Sequence, residues 1–138
     1  MEYQTHIQNI GWQEKKYDGE ITGTMKESKR LEAISISLGK YDYEGGITYR
    51  AHVQDYGWMA WKSNGDIAGT IGKAKRMEAI QIKLTGELAE HYDIYYRVHA
   101  QNFGWMGWAK NDEMSGSAHY GYRLEGIEIV LVEKGQNP

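Results

Sequence analysis

Apolar and polar side chains alternate with a period of two through much of the chain. The clearest stretch is Ile47–Gln54. Ile47, Tyr49, Ala51 and Val53 fall on one face, and Thr48, Arg50, His52 and Gln54 on the other. Successive side chains of a strand point to opposite faces, so this stretch predicts a strand with one apolar face. Residues 2–12 read as one strand of the same kind, with Tyr3, Thr5, Ile7 and Asn9 alternating with Gln4, His6, Gln8 and Ile10. Leu31–Leu38 is another, setting Ile34, Ile36 and Leu38 against Ala33, Ser35 and Ser37. Leu124–Val132 is apolar on both faces toward its end, which marks a more enclosed strand. Helix competes poorly, because glycine interrupts every candidate window and Ile and Tyr are frequent. Glu87–His91 alone suits one short helical turn.

The pattern is written three times. Tyr3-Gln-Thr-His6-Ile-Gln8-Asn9-Ile-Gly11-Trp12 returns as Tyr49-Arg-Ala-His52-Val-Gln54-Asp55-Tyr-Gly57-Trp58. It returns again as Tyr96-Arg-Val-His99-Ala-Gln101-Asn102-Phe-Gly104-Trp105. Trp12, Trp58 and Trp105 are 46 and 47 residues apart. Downstream, Arg30-Leu-Glu32-Ala-Ile34-Ser-Ile36 matches Arg76-Met-Glu78-Ala-Ile80-Gln-Ile82 and Arg123-Leu-Glu125-Gly-Ile127-Glu-Ile129. The copies occupy residues 1–46, 47–93 and 94–138 of one 138-residue domain. Units this short are expected to share one core.

Between the two blocks of each copy a short second strand is expected, at Gln13–Tyr17, Met59–Ser63 and Met106–Lys110. Asp18-Gly19 and Asn64-Gly65 then signal tight turns, with Asn111-Asp112 a weaker form. Glu20–Lys29, Asp66–Lys75 and Glu113–Tyr122 read as irregular. They carry Gly23, Gly69 and Gly116 in register, each followed by Thr or Ser. The third strand of each copy is expected to pair antiparallel with the first strand of the next. By symmetry, Leu124–Val132 would pair with Glu2–Trp12 and close a ring without free sheet edges. The fold class is all-β, a single pseudo-three-fold domain with a β-prism-like arrangement of three small sheets. A β-trefoil is the alternative, but it wants more strands per copy than are read here.

Sixteen basic and 19 acidic residues are intermixed, for a net charge of −3. Such a chain has no electrostatic footprint for nucleic acid or an anionic membrane. Cysteine is absent, which excludes disulfides and thiolate sites. No apolar run is long enough to insert in a membrane. Met1 sits almost on the first strand, so the chain is expected to be a module excised from a longer protein, its leader left behind.

The Gly-Trp after a His-x-Gln strand, the Gly-Thr segment and Arg-x-Glu-Ala-Ile-x-Ile-x-Leu together resemble the ChW repeat, the clostridial hydrophobic repeat with a tryptophan. The resemblance covers all three copies. Departures are minor: Gly126 replaces alanine in copy three, and Lys15 stands in copy one where the others have Trp61 and Trp108. The resemblance implies a secreted or surface-attached bacterial protein, with roles in binding surface glycans or other proteins.

Trp12, Trp58 and Trp105 are expected in the core, each large ring capping its copy. Trp61 and Trp108 are expected at an exposed rim, because lysine fills their place in copy one and is rarely buried. There an indole offers a platform for the C–H face of a sugar. His6, His52 and His99 share a strand face with Gln8, Gln54 and Gln101, and Asn9, Asp55 and Asn102 follow. These side chains supply donors and acceptors for sugar hydroxyls. The competing reading of the histidines is a buried hydrogen-bond network between copies at the symmetry axis. Three histidines near such an axis also suit a metal, although nothing in their spacing demands one. Arg30–Glu32, Arg76–Glu78 and Arg123–Glu125 read as structural ion pairs or as links to the Gly-Thr segments. No nucleophile motif, phosphate loop or singled-out carboxylate pair is present. The functional expectation is therefore non-catalytic and cofactor-free. It is a monomeric, lectin-like carbohydrate-binding module with up to three equivalent sites, or else a protein-interaction module of a surface assembly.

Overall fold

Each long first strand lies antiparallel to the long last strand of its own copy. The computed structural model describes residues 1–118 and 120–138. Copy one supplies β1 (Glu2–Ile7), β2 (Gly11–Trp12), β3 (Lys16–Tyr17), β4 (Ile21–Gly23) and β5 (Leu31–Ser37). Copy two supplies β6 (Gly46–Val53), β7 (Gly57–Trp58), β8 (Lys62–Ser63), β9 (Ile67–Gly69) and β10 (Met77–Thr85). A short helix, α1 (Leu88–His91), leads into copy three. That copy supplies β11 (Tyr92–Ala100), β12 (Gly104–Trp105), β13 (Ala109–Lys110), β14 (Met114–Gly116) and β15 (Leu124–Glu133). Among the described residues the 15 strands form three antiparallel sheets, one per copy, so the domain is all-β with three repeats.

The expected ring closure is wrong in its strands. β15 does not pair with β1; it lies between β11 and β4. Nor, among the described residues, does β5 pair with β6 or β10 with β11. Each copy instead gives its fourth strand to its neighbour. β9 adds to β5, β14 adds to β10, and β4 adds to β15. Copy one thereby closes the ring onto copy three. The donated strands are three residues long and lie in the polar segments read as irregular, too short for a period of two to show.

The glycine in each donated strand has a steric reason. Gly69 has φ +98, and a Cβ there would run into the carbonyl oxygen of Glu32 on the neighbouring copy. The next residue hydrogen-bonds to that same carbonyl. Thr70 N–H donates to Glu32 O at 2.9 Å, Ser117 N–H to Glu78 O at 2.8 Å, and Thr24 N–H to Glu125 O at 2.9 Å. The accepting glutamate is in each case the extra residue of a β-bulge. His6 pairs with Ala33 and Ile7 with Leu31, which leaves Glu32 over. Glu78 and Glu125 are left over in the same way. A bulge bends the strand and re-aims one residue. Here it frees a carbonyl for the neighbouring copy.

The core is built from alternate residues of the long strands, including Ile34, Ile36, Ile80, Ile82, Ile127 and Ile129. Its large rings are Tyr3, Tyr49 and Tyr96, each at most 1% exposed. Each phenol holds two copies together. Tyr49 Oη donates to Asp66 O in its own copy, and Ile36 N–H of copy one donates to that oxygen at 3.1 Å. Tyr96 Oη bonds Glu113 O, and Ile82 N–H reaches it at 3.2 Å. Tyr3 Oη bonds Glu20 O, and Ile129 N–H reaches it at 3.3 Å, across the closing seam. Burial pushes all three phenols above the ordinary tyrosine pKa. Copy three has one further tie. Asp93, 1% exposed, accepts from Gly135 N–H, Asn111 Nδ2 and Lys134 Nζ. Its burial favours the neutral acid, yet these three donors together hold the carboxyl below the usual range.

Removing one hydroxyl tests the joint. Tyr49→Phe keeps the ring but leaves Ile36 N–H and Asp66 O short of a partner. A buried group so orphaned costs about 1–3 kcal/mol. Urea unfolding should show that loss as a single cooperative transition. A midpoint equal to wild type would mean that the hydroxyl contributes nothing.

Candidate functional site

Residues 2–12 form two strands with a turn between them. The turn residues Asn9, Asp55 and Asn102 have φ of 63, 68 and 71. Asn and Asp tolerate this left-handed backbone better than most side chains, so conformation accounts for their recurrence. All three are exposed. Asp55 also accepts from Lys75, whose ammonium holds its carboxyl below the usual range.

The turn returns the chain so that each tryptophan lies across from a histidine: Trp12 from His6, Trp58 from His52, Trp105 from His99. The rings meet edge to face at 5.4, 5.3 and 5.5 Å. These tryptophans are not core, contrary to expectation. Trp12 is 37% exposed, and Trp58 and Trp105 are half-buried. Residues directly opposite each other in an antiparallel pair share a face, so each tryptophan lies with its histidine on the polar face and not on the core face of Tyr3, Tyr49 and Tyr96. The buried tyrosines hold the place expected of them.

Behind each tryptophan runs the same chain of bonds. His6 Nδ1 meets Glu32 Oε1 at 3.1 Å, and Arg30 Nε donates to Glu32 Oε2 at 2.9 Å. His52–Glu78–Arg76 and His99–Glu125–Arg123 repeat this within 0.1 Å. The bulged glutamates are 5–6% exposed, so each buried carboxylate has both oxygens satisfied. An ionised carboxylate only accepts, which puts the histidine proton on Nδ1. The histidines thus belong to a hydrogen-bond network, but one inside each copy rather than at the axis. Among the described residues no group of three His, Cys, Asp or Glu is placed to hold a metal.

Gln8, Gln54 and Gln101 lie at the axis instead. With Arg30, Arg76 and Arg123 they line one depression of about 460 Å³, to which Ser28 and Gly121 also contribute. Sequence reading separated these residues into a ligand face and a structural pair; the bulge brings them to one place.

Trp61 and Trp108 take the rim position expected of them: Trp61 is half-buried and Trp108 is 36% exposed. They are not bare platforms. Arg50 Cζ lies 4.7 Å from the Trp58 ring and 4.8 Å from the Trp61 ring. Arg97 sits between Trp105 and Trp108 at 4.9 and 4.8 Å. Lys83 Nζ is a further 4.3 Å from Trp61. Each cation–π contact contributes about 0.5–1 kcal/mol where solvent reaches it. Copy one has neither member of this arrangement: Gln4 replaces the arginine, and Lys15 pairs with Glu2 at 3.2 Å. The joint change at two positions was visible by aligning the copies, and it is the signal for Arg50 and Arg97 that sequence reading passed over. Among the described residues no cation stacks on Trp12, which lies beside an open cleft of about 440 Å³ lined by Gln13, Glu14, Lys16, Ile21 and Thr22.

A family model described as Clostridial hydrophobic W matches residues 6–40, 52–86 and 99–133. The chain belongs to the ChW family. No curated protein and no solved structure matches it. Each ChW match begins at the histidine of the His–Glu–Arg network, so the tyrosine that joins the copies lies just ahead of every matched span.

Trp58→Ala should cost clearly less than the about 3–5 kcal/mol of a fully buried ring, because Trp58 is half-buried at a sheet edge. Chemical denaturation measures it. A cost inside the core range would return Trp58 to the core.

Proposed function

We propose that this ChW domain is a non-catalytic, carbohydrate-binding module that meets surface glycans outside the cell. The observation that carries the reading is the partly exposed indole of every copy, held by a rigid edge-to-face histidine. Beside Trp12 it borders an open cleft whose polar side chains suit sugar hydroxyls. An indole fixed in this way loses little freedom when a ring stacks on it. The sites are not equivalent. Guanidinium groups occupy part of the aromatic surface in copies two and three, whereas among the described residues none lies over Trp12. Each site alone is weak, since one sugar face buries little area against the cost of association. Several on one rigid body gain by avidity on a repetitive surface.

A second reading is a protein-interaction module. It has its own support in Ile10, Tyr56 and Phe103, which occupy one turn position in all three copies and are 48%, 50% and 56% exposed.

The test is a titration with cell-wall and host-type oligosaccharides, followed by tryptophan fluorescence and NMR. Saturable shifts should appear around Trp12 first and around Trp108 second, and Trp12→Ala should abolish the first set. Binding unchanged in a variant with Trp12, Trp61 and Trp108 all replaced by Ala would contradict the indole assignment. Absence of binding across the oligosaccharides, with a bound protein lost on Tyr56→Ser, would favour the second reading.

A further inference from the structure

The depression where the three copies meet is lined by donors. Arg30, Arg76 and Arg123 each spend Nε on a buried glutamate. Their terminal nitrogens make no hydrogen bond with another described residue. One of them is placed directly: a Cβ on Gly121, which shares the lining, would stand 3.1 Å from Arg76 Nη2. The glutamines are turned the same way. The Oε1 atoms of Gln8, Gln54 and Gln101 accept from the backbone N–H of Arg30, Arg76 and Arg123 at 3.3, 3.4 and 3.4 Å. That bond fixes each carboxamide with its oxygen on the backbone and leaves the NH₂ end to donate. The Gln backbone N–H groups answer at 2.9–3.0 Å to the Arg carbonyls, so each Gln–Arg pair is locked on both sides. Among the described residues that line the depression there is no carboxylate. The glutamates that balance the arginines are 5–6% exposed and have both oxygens engaged.

We infer that this axial depression binds a tetrahedral oxyanion, a phosphate or sulfate group, between the three guanidinium and three carboxamide donors. Three arginines and three amides arranged by pseudo-three-fold repetition offer donors to several equivalent oxygens at once. A neutral sugar needs acceptors as well as donors, and here donors predominate: each glutamine oxygen already takes a backbone N–H, and Ser28 is the hydroxyl among the described lining residues. Guanidinium–oxyanion bonds are charge-assisted and about twice as strong as neutral ones. The site is separate from the indole shelf and stands whether or not that shelf binds sugar.

The test is an NMR titration of the full chain with inorganic phosphate at low salt, with glucose 1-phosphate in a parallel arm. The side-chain N–H signals of the three arginines and three glutamines should move together with one saturable 1:1 affinity that falls as salt rises. Saturation by both ligands assigns the site to a phosphoryl group carried on a sugar; saturation by inorganic phosphate alone assigns it to the free anion. Arg76→Gln removes one guanidinium but unpairs Glu78. Gln54→Glu is the gentler variant, because it keeps an oxygen for Arg76 N–H and replaces only the donor end with negative charge. Folded Gln54→Glu should bind phosphate at least about tenfold more weakly, the scale of one lost charge-assisted bond. Unchanged affinity in Gln54→Glu, or phosphate shifts that avoid these six side chains, overturns the assignment.

Discussion

Three buried phenol hydroxyls hold the domain together at its seams. Each belongs to one copy, reaches the last strand of the neighbour (β5, β10 or β15), and closes its own copy's turn. Beside it the same copy lays a three-residue strand onto the same neighbouring strand. A 46-residue unit has too little interior to stand alone. Donating a strand and a hydroxyl lets each copy complete its neighbour's sheet, and the last joint joins residue 3 to residue 129. The ring has no privileged member.

Both candidate surfaces follow from the bulge that this exchange requires. Glu32, Glu78 and Glu125 turn their carbonyls to the donated strand, which the glycine lets approach. Their side chains then lie where one oxygen takes a histidine and the other an arginine. The histidine carries the tryptophan at the sheet edge, and the arginine is anchored at the axis. One irregularity per copy thus sets both the outer indoles and the inner ring of donors.

Much of this was legible in the sequence. The alternation in Ile47–Val53 and Leu31–Leu38 is the pattern of the long strands, and the repeat announced three sheets. The helical turn at Glu87–His91 appears as α1. The Arg-x-Glu blocks are structural pairs and links to the Gly-Thr segments, as their spacing suggested. Partner choice between strands was not legible. Which copy a third strand pairs with depends on a three-residue strand whose Ile67-Ala-Gly69 carries no periodicity. The tryptophans misled because size and recurrence suggest burial, whereas the turn sets each opposite a histidine on the polar face of its sheet. The axial cluster was hidden because a bulge breaks period-two counting at the glutamate, and with it the expected face of everything beyond.

Native-state hydrogen exchange tests the central claim, that the copies form one closed cooperative ring. The amides of Thr24, Thr70 and Ser117 bond only across the joints between copies. If the ring is one unit, all three should exchange through global unfolding, at the opening free energy of Ile34, Ile80 and Ile127 in the core strands. Faster exchange at Thr24 alone, with the other two protected, would show that copy one frays from copy three and that the ring is open.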